Sequence, residues 1–153
     1  MTVPRPVALA FALLVLGAAA ACGGAAPQSS WTTRAEAGAA VPVWVPASAG
    51  DLKLASEGPA GAFWLRFRLP AGDRPALVAE LNRIPDEQVA TLTFRAPKGV
   101  DWWFRGLVQV VPAREKTVVS ADVFSGAGRA VPARTFVAFD RASDAVWAWS
   151  AGR

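Results

Sequence analysis

Two adjacent tryptophans provide the most conspicuous candidate surface for recognition. Trp102 and Trp103 lie between Asp101 and Phe104 in a predicted loop. Neighbouring indole rings in a loop can form a flat platform for sugar rings, and their faces also attract cations. In a small domain the same rings can instead fold over a sheet and complete its core. We therefore predict Trp102 and Trp103 as ligand-binding or partner-binding residues, with a role in the core as the alternative.

A second candidate surface combines an indole with two guanidinium groups. Trp64, Arg66 and Arg68 alternate along a predicted strand, so their side chains share one face. Such a face can hold an anionic ligand, a phospholipid headgroup or an acidic cell-wall polymer. The alternative is an ordinary solvated strand face whose arginine stems lie along neighbouring side chains. We predict that this is the outer face, and we include its three residues in the candidate binding surface.

The sequence offers little catalytic apparatus. It contains no His and one Cys, so it has no imidazole base, no imidazole metal ligand and no cysteine cluster for zinc. Glycosidases need two carboxylates, and the nearest pairs are Asp86 with Glu87 and Asp140 with Asp144. Turn chemistry explains both pairs. We predict no catalytic residue, no metal site and no cofactor, with an envelope hydrolase that uses paired carboxylates as the alternative.

The distribution of charge does not favour a nucleic-acid partner. Lys and Arg total 16 against 12 Asp and Glu, which gives a formal net charge of +4. A nucleic-acid-binding domain clusters its basic residues on one face, whereas here they are interleaved with acids. The sequence therefore predicts no binding of nucleic acid.

The amino terminus has the features of a secretory signal. Arg5 precedes an apolar run from Val7 to Leu16, and a stretch of Gly and Ala then leads to Cys22. The apolar run is too short to span comfortably a bilayer core of about 30 Å. The segment Ala20-Ala21-Cys22-Gly23 resembles the lipobox of small uncharacterised bacterial lipoproteins, a family that usually has Leu at the position of Ala19.

This resemblance implies removal of residues 1–21 and attachment of lipid to Cys22. The chain would then be exported and held by that lipid in the cell membrane or the outer membrane. Cleavage by an ordinary signal peptidase within Ala18 to Ala21 would instead release a soluble secreted or periplasmic protein with a free thiol. An uncleaved anchor from Val7 to Ala26 is a third possibility.

Composition divides the remaining chain into a linker and a domain. Residues 22–50 are rich in Ala, Gly, Ser and Pro and carry few charges, so they are predicted to form a flexible tether. Within it, Val41 to Pro46 could form a first edge strand with Pro at both ends. Residues 51–153 are predicted to form a single globular domain.

The domain must position these side chains mainly with strands. Leu77, Leu81 and Ile84 recur at i, i+4 and i+7, which predicts one short helix, with Asp73 as its N-cap and Arg83 near its end. The predicted strands are Ala62 to Leu69, Gln88 to Arg95, Leu107 to Val111, Thr117 to Phe124, and a hairpin that joins Thr135 to Asp140 with Ala145 to Trp149. Pairing Asp140 with Ala145 sets the register of this hairpin. The fold class is therefore α+β, with a mostly antiparallel, curled sheet of about five to seven strands.

Several predicted strands are apolar on both sides, and one helix cannot cover both faces of such a sheet. We expect the sheet to curl into a partial barrel with the helix at one opening; an exposed aromatic patch is the alternative. Taken together, the sequence predicts a membrane-anchored, non-enzymatic lipoprotein that binds a protein or a glycan in the envelope. A purely structural lipoprotein is a further alternative.

Overall fold

The computed structural model describes residues 24–58, 61–89, 93–103, 108–111, 115–118 and 120–150. The leader, Cys22 and the lipobox lie outside these residues. The fold is α+β and mostly antiparallel sheet, which confirms the predicted class. Among the described residues, no helix has the length and apolarity needed to cross a membrane.

Ten strands, three short α-helices and two 3-10 helices, Gly38–Ala40 and Ala71–Asp73, make up the described elements. The strands are β1 Gln28–Thr33, β2 Gly50–Ser56, β3 Phe63–Arg68, β4 Leu81–Arg83, β5 Thr93–Arg95, β6 Val108–Val111, β7 Glu115–Val118, β8 Ala121–Gly126, β9 Thr135–Asp140 and β10 Ala145–Ser150. The helices are α1 Arg34–Ala37, α2 Arg74–Val78 and α3 Asp86–Val89. One sheet has the order β1-β2-β3-β10-β9-β8-β4, and a second has the order β5-β7-β6.

The seven-stranded sheet is open and carries an apolar core on each face. Its first face contains Leu65, Phe67 and Val146, and its second face contains Trp64 and Trp149, all almost completely buried. The hairpin of β9 and β10 has the predicted register, because Val146 pairs with Phe139 and Trp149 with Phe136. The sheet is not closed, since β1 and β4 end it without pairing to each other.

Separate segments of the chain cover the two faces of the sheet. Over the first face lie the loop between α1 and β2 and helix α2, which contribute Val41, Val45 and Leu77 to the core. Over the second face lie α3 and the loop that contains Trp103. The prediction of apolarity on both faces is thus confirmed, and covering segments bury each face.

The flexible tether predicted for residues 22–50 is wrong from Gln28 onward. Strand β1 pairs antiparallel with β2 from Gln28↔Ala55 to Thr33↔Gly50. The expected edge strand from Val41 to Pro46 is also wrong, because this stretch turns twice and buries Val41 and Val45. Its low charge and small side chains reflect a loop packed on the sheet rather than a solvated linker.

Tertiary pairing also shortens the predicted helix. Helix α2 ends at Val78, and Leu81–Arg83 forms β4, which pairs with β8. Asp73 precedes α2 but makes no capping hydrogen bond through its side chain. The apolar spacing at Leu77 and Leu81 was detected correctly, since both side chains lie in the first core. A helix-like spacing over so few residues also suits a turn followed by an edge strand.

Two predicted strands have different boundaries in the structure. Gln88 and Val89 belong to α3, and of the described residues in the second predicted strand only Thr93–Arg95 is strand. The predicted strand from Thr117 to Phe124 is divided at Ser120, whose φ of 56° is incompatible with a continuous strand. Its two parts, β7 and β8, belong to different sheets.

Truncation tests whether the residues before β2 belong to the folded domain. We expect a chain that begins at Gly24 to unfold cooperatively in urea. A chain that begins at Asp51 should lose at least about 4 kcal/mol, because burying one aliphatic side chain contributes about 1.5–3 kcal/mol and several are removed with β1. Equal midpoints and equal slopes for the two chains would contradict this assignment.

Candidate functional site

The adjacent tryptophans do not form a flat platform. Trp103 is 5% exposed and packs edge-on against Trp149, with ring centroids 6.2 Å apart. The Trp102 and Trp103 rings are 5.9 Å apart with planes 77° from parallel. A flat platform needs two coplanar, exposed ring faces, and the Trp102–Trp103 pair does not provide them. Trp103 therefore belongs to the core of the second face, as the alternative reading held.

Trp102 is half-buried and joins its loop to the segment before β1. Its indole N–H donates to the side-chain oxygen of Gln28 at 2.9 Å, and the Gln28 amide donates to the carbonyl of Gly99 at 3.1 Å. The backbone N–H of Ala26 donates to the carbonyl of Lys98 at 3.0 Å. These bonds hold residues 26–28 against residues 98–102.

Trp64 lies at the centre of an aromatic row on the second face. It is 1% exposed and pairs across strands with Trp149, which stacks on Phe136 at 5.4 Å with planes 16° apart. The face of β3 that we predicted to be the outer one is therefore covered around Trp64. Trp64 supports the sheet and is not accessible to a ligand.

Arg68 is occupied by ion pairs. Its guanidinium donates to both carboxylate oxygens of Asp144, at 2.8–3.0 Å, and lies 3.5 Å from a carboxylate oxygen of Asp51. The hydrogen bond from Arg68 holds the pKa of Asp144 below its ordinary value. This bidentate pair ties β3 to the turn between β9 and β10, so Arg68 has a structural role.

Arg66 differs from Arg68 because no acid neutralises it. In the register of the sheet it pairs with Lys53 of β2, and Lys53 pairs with Ser30 of β1. The Arg66 guanidinium lies over the ring of Trp147, 5.8 Å from its centroid. Across the described part of the chain, neither the Lys53 ammonium nor the Arg66 guanidinium makes an ion pair or a hydrogen bond. Two cations thus lie side by side at the uncovered end of the second face.

These two cations line an open concavity of ≈ 470 Å³. We call it the cationic recess; its lining residues are Ser30, Trp31, Thr32, Glu36, Asp51, Leu52, Lys53 and Arg66. Sequence reasoning found only Arg66, because residues 22–50 were assigned to a tether and strand register was unknown. Alternate residues of a strand lie on one face of the sheet, so Asp51, Lys53 and Ala55 are expected to share a face. That pattern could have indicated that the Lys53 side chain lies beside side chains of a neighbouring strand.

Both acids of the cationic recess are engaged elsewhere. Glu36 accepts a hydrogen bond from the Thr32 backbone N–H at 2.9 Å, while its own N–H donates to the Thr33 hydroxyl at 3.2 Å. This arrangement resembles a capping box at the start of α1, with the N–H of Thr32 in place of that of the N-cap Thr33. Asp51 is 3.5 Å from Arg68. Both carboxylates remain charged, but neither pairs with Lys53 or Arg66, so these two cations and the hydroxyls of Ser30 and Thr32 can serve as hydrogen-bond donors to an anionic group.

Three carboxylates of the two candidate pairs, those of Asp86, Asp140 and Asp144, have structural partners. Asp140 accepts from the Ala142 N–H at 3.0 Å and from the Ser143 hydroxyl, which confirms its predicted role in the turn. Asp86 joins Asp122, Arg83 and Arg141 in a network with nitrogen–oxygen distances of 3.1–3.4 Å. A general acid needs a raised pKa, whereas that of Asp144 is lowered. Within the described ranges, no cluster of acidic or thiol side chains has the composition of a metal site.

Alanine substitution distinguishes core tryptophans from surface ones. Trp103→Ala should lower the free energy of unfolding by about 3–5 kcal/mol, because it leaves a large cavity against Trp149. Trp102→Ala should cost clearly less, since its ring is half-buried. Urea denaturation followed by circular dichroism measures both variants. A larger loss for Trp102→Ala than for Trp103→Ala would contradict the burial described above.

Comparisons with known proteins do not assign the chain to a family. No protein-family model matches it, no curated protein matches it, and no solved structure matches it. The functional conclusion therefore depends on the chemistry of the chain itself, namely the lipobox-like segment at Cys22 and the cationic recess.

Proposed function

We propose that this protein is a membrane-anchored bacterial lipoprotein whose domain binds an anionic group of an envelope molecule without chemical turnover. The observation that supports the binding role is the cross-strand pair of Lys53 and Arg66, two cations that line an open concavity and form no ion pair with an acid of the described residues. The lipoprotein role rests on the sequence around Cys22.

Electrostatics support an anion as the ligand. Like charges directly opposite each other on neighbouring strands destabilise a sheet, so an anion placed between Lys53 and Arg66 relieves a repulsion as well as adding attraction. A planar guanidinium presents paired N–H donors that match phosphate or carboxylate oxygens, and a lysine ammonium adds a compact charge. Trp147 fixes the Arg66 side chain from behind and thereby lowers the entropy that binding must remove.

The shape of the recess limits the ligand. A concavity of ≈ 470 Å³ accepts a small charged group or one unit of a polymer. Its position at the end of the sheet near β1 leaves room for the rest of a glycan or protein to continue outward. An anionic envelope polymer and an acidic protein segment both satisfy this chemistry.

Lipid attachment is tested by intact-mass analysis of the mature protein. We expect the mature chain to begin at Cys22 and to carry a diacylglyceryl group, because the small residues before Cys22 suit the peptidase of lipoproteins. Cys22→Ser should block lipid addition and cleavage, and so leave the full precursor. A mature protein cleaved between Ala18 and Ala21 without lipid would contradict the proposal.

Matched substitutions test the cationic recess. The detergent-solubilised mature protein should bind pyrophosphate or citrate in isothermal titration calorimetry. Arg66→Met and Lys53→Met should each weaken that binding about tenfold, since one hydrogen bond to a charged group contributes ~1.5–3 kcal/mol. The control is Arg134→Met, which removes an exposed charge before β9 and should leave the affinity unchanged. Equal losses in all three variants would contradict a defined site.

A further inference from the structure

The chain is fixed to the domain almost immediately after the proposed lipidation site. A Cβ placed on Gly99 would lie 2.5 Å from the Cβ of Ala25 and 3.3 Å from its Cα. Gly99 has a φ of 71°, which glycine adopts readily, so its lack of a side chain permits this close crossing. The next residue, Ala26, donates its N–H to the Lys98 carbonyl. The folded structure thus holds the chain from Ala25 onward.

This contact strictly limits the distance between the anchor and the domain. Ala25 is three residues after Cys22, and three fully extended residues span at most ~11 Å. A flexible tether of the length predicted from composition would instead have an end-to-end distance of ~30 Å. Because headgroup regions extend roughly 5–8 Å beyond each side of the hydrocarbon core, a lipid on Cys22 would bring residues 98–102 close to the headgroups.

The side chains at this position suit the interface between lipid and water. Lys98 is exposed, and Trp102 is half-buried with its indole N–H held by Gln28. Tryptophan is enriched at membrane interfaces, and a lysine near an anionic surface is attracted to it. The loop over the first face, which contains Val43, lies on the opposite side of the sheet.

We infer that the loop Lys98–Trp102 rests on the bilayer that holds Cys22, so the domain docks on the membrane surface rather than standing away from it. This inference depends on the proposed lipidation of Cys22. The surface that this loop contacts is the headgroup layer of the membrane into which the lipid is inserted. The orientation directs the second face of the sheet toward the bilayer and leaves the Val43 loop in water.

Site-directed spin labelling of the lipidated full chain tests the orientation. The sequence contains one Cys, and once it carries a thioether-linked lipid an introduced cysteine is the only free thiol of the mature protein. Lys98→Cys reports on the loop, Asp101→Cys provides a second reporter, and Val43→Cys is the control because Val43 is 91% exposed. Each variant is purified from bacterial membranes, labelled with a nitroxide and reconstituted into vesicles of phosphatidylethanolamine and phosphatidylglycerol.

Relaxation by a water-soluble nickel complex measures the exposure of each nitroxide. We expect the labels at positions 98 and 101 to be several-fold less accessible to nickel than the label at position 43. Insertion of about twelve Gly/Ser residues after Gly23 lengthens the link by ~20 Å and should raise the accessibility at position 98 toward that of position 43.

The results separate failure of the orientation from failure of the proposed function. Equal accessibility at positions 98, 101 and 43 in protein whose mass includes the lipid would overturn the orientation and leave the lipoprotein assignment intact. No effect of the Gly/Ser insertion on position 98 would also overturn it. Mature protein without lipid would overturn both the assignment and the orientation.

Discussion

A sheet that is apolar on both faces must be covered on both faces, and this constraint organises the molecule. The aromatic row of Trp64, Trp149 and Phe136 on the second face cannot remain in water, because each large ring contributes an area whose exposure would cost several kcal/mol. Trp103 therefore packs edge-on against Trp149, and the loop that carries it becomes a covering layer. On the first face the loop before β2 and helix α2 perform the same task.

The covering layers end before the sheet does, and the uncovered end contains the charged side chains. There Arg66 and Arg68, two residues apart on one strand, have opposite roles. Arg68 is neutralised by Asp144 and Asp51, whereas Arg66 is supported by the ring of Trp147 and retains its charge toward the cationic recess. The two pairs hold Asp144 and Asp51 on Arg68, and surface ion pairs of this kind contribute little stability.

The segment before β1 connects the proposed lipidation site, Cys22, to the domain. Its small residues permit the close crossing at Gly99, and its hydrogen bonds join it to the loop that covers the second core. A lipid on Cys22 would therefore be joined to the folded domain by only a few residues and not by a long spacer. The cationic recess includes Ser30, only two residues beyond Gln28. Membrane anchoring and anion binding would consequently take place at the same side of the sheet.

The sequence by itself determined the fold class, the register of the hairpin and the lipobox-like segment, because alternation and local turn chemistry are properties of neighbouring residues. Asp140 was predicted as a turn residue and accepts the hydrogen bonds of one. Only the tertiary structure decided that Trp103 is core, that residues 28–50 are part of the domain, and that Lys53 lies beside Arg66. These features depend on which strands become neighbours and which loops cover them. A polar strand such as β1 shows no apolar alternation, since its stability comes from backbone pairing with β2 and not from its own side chains.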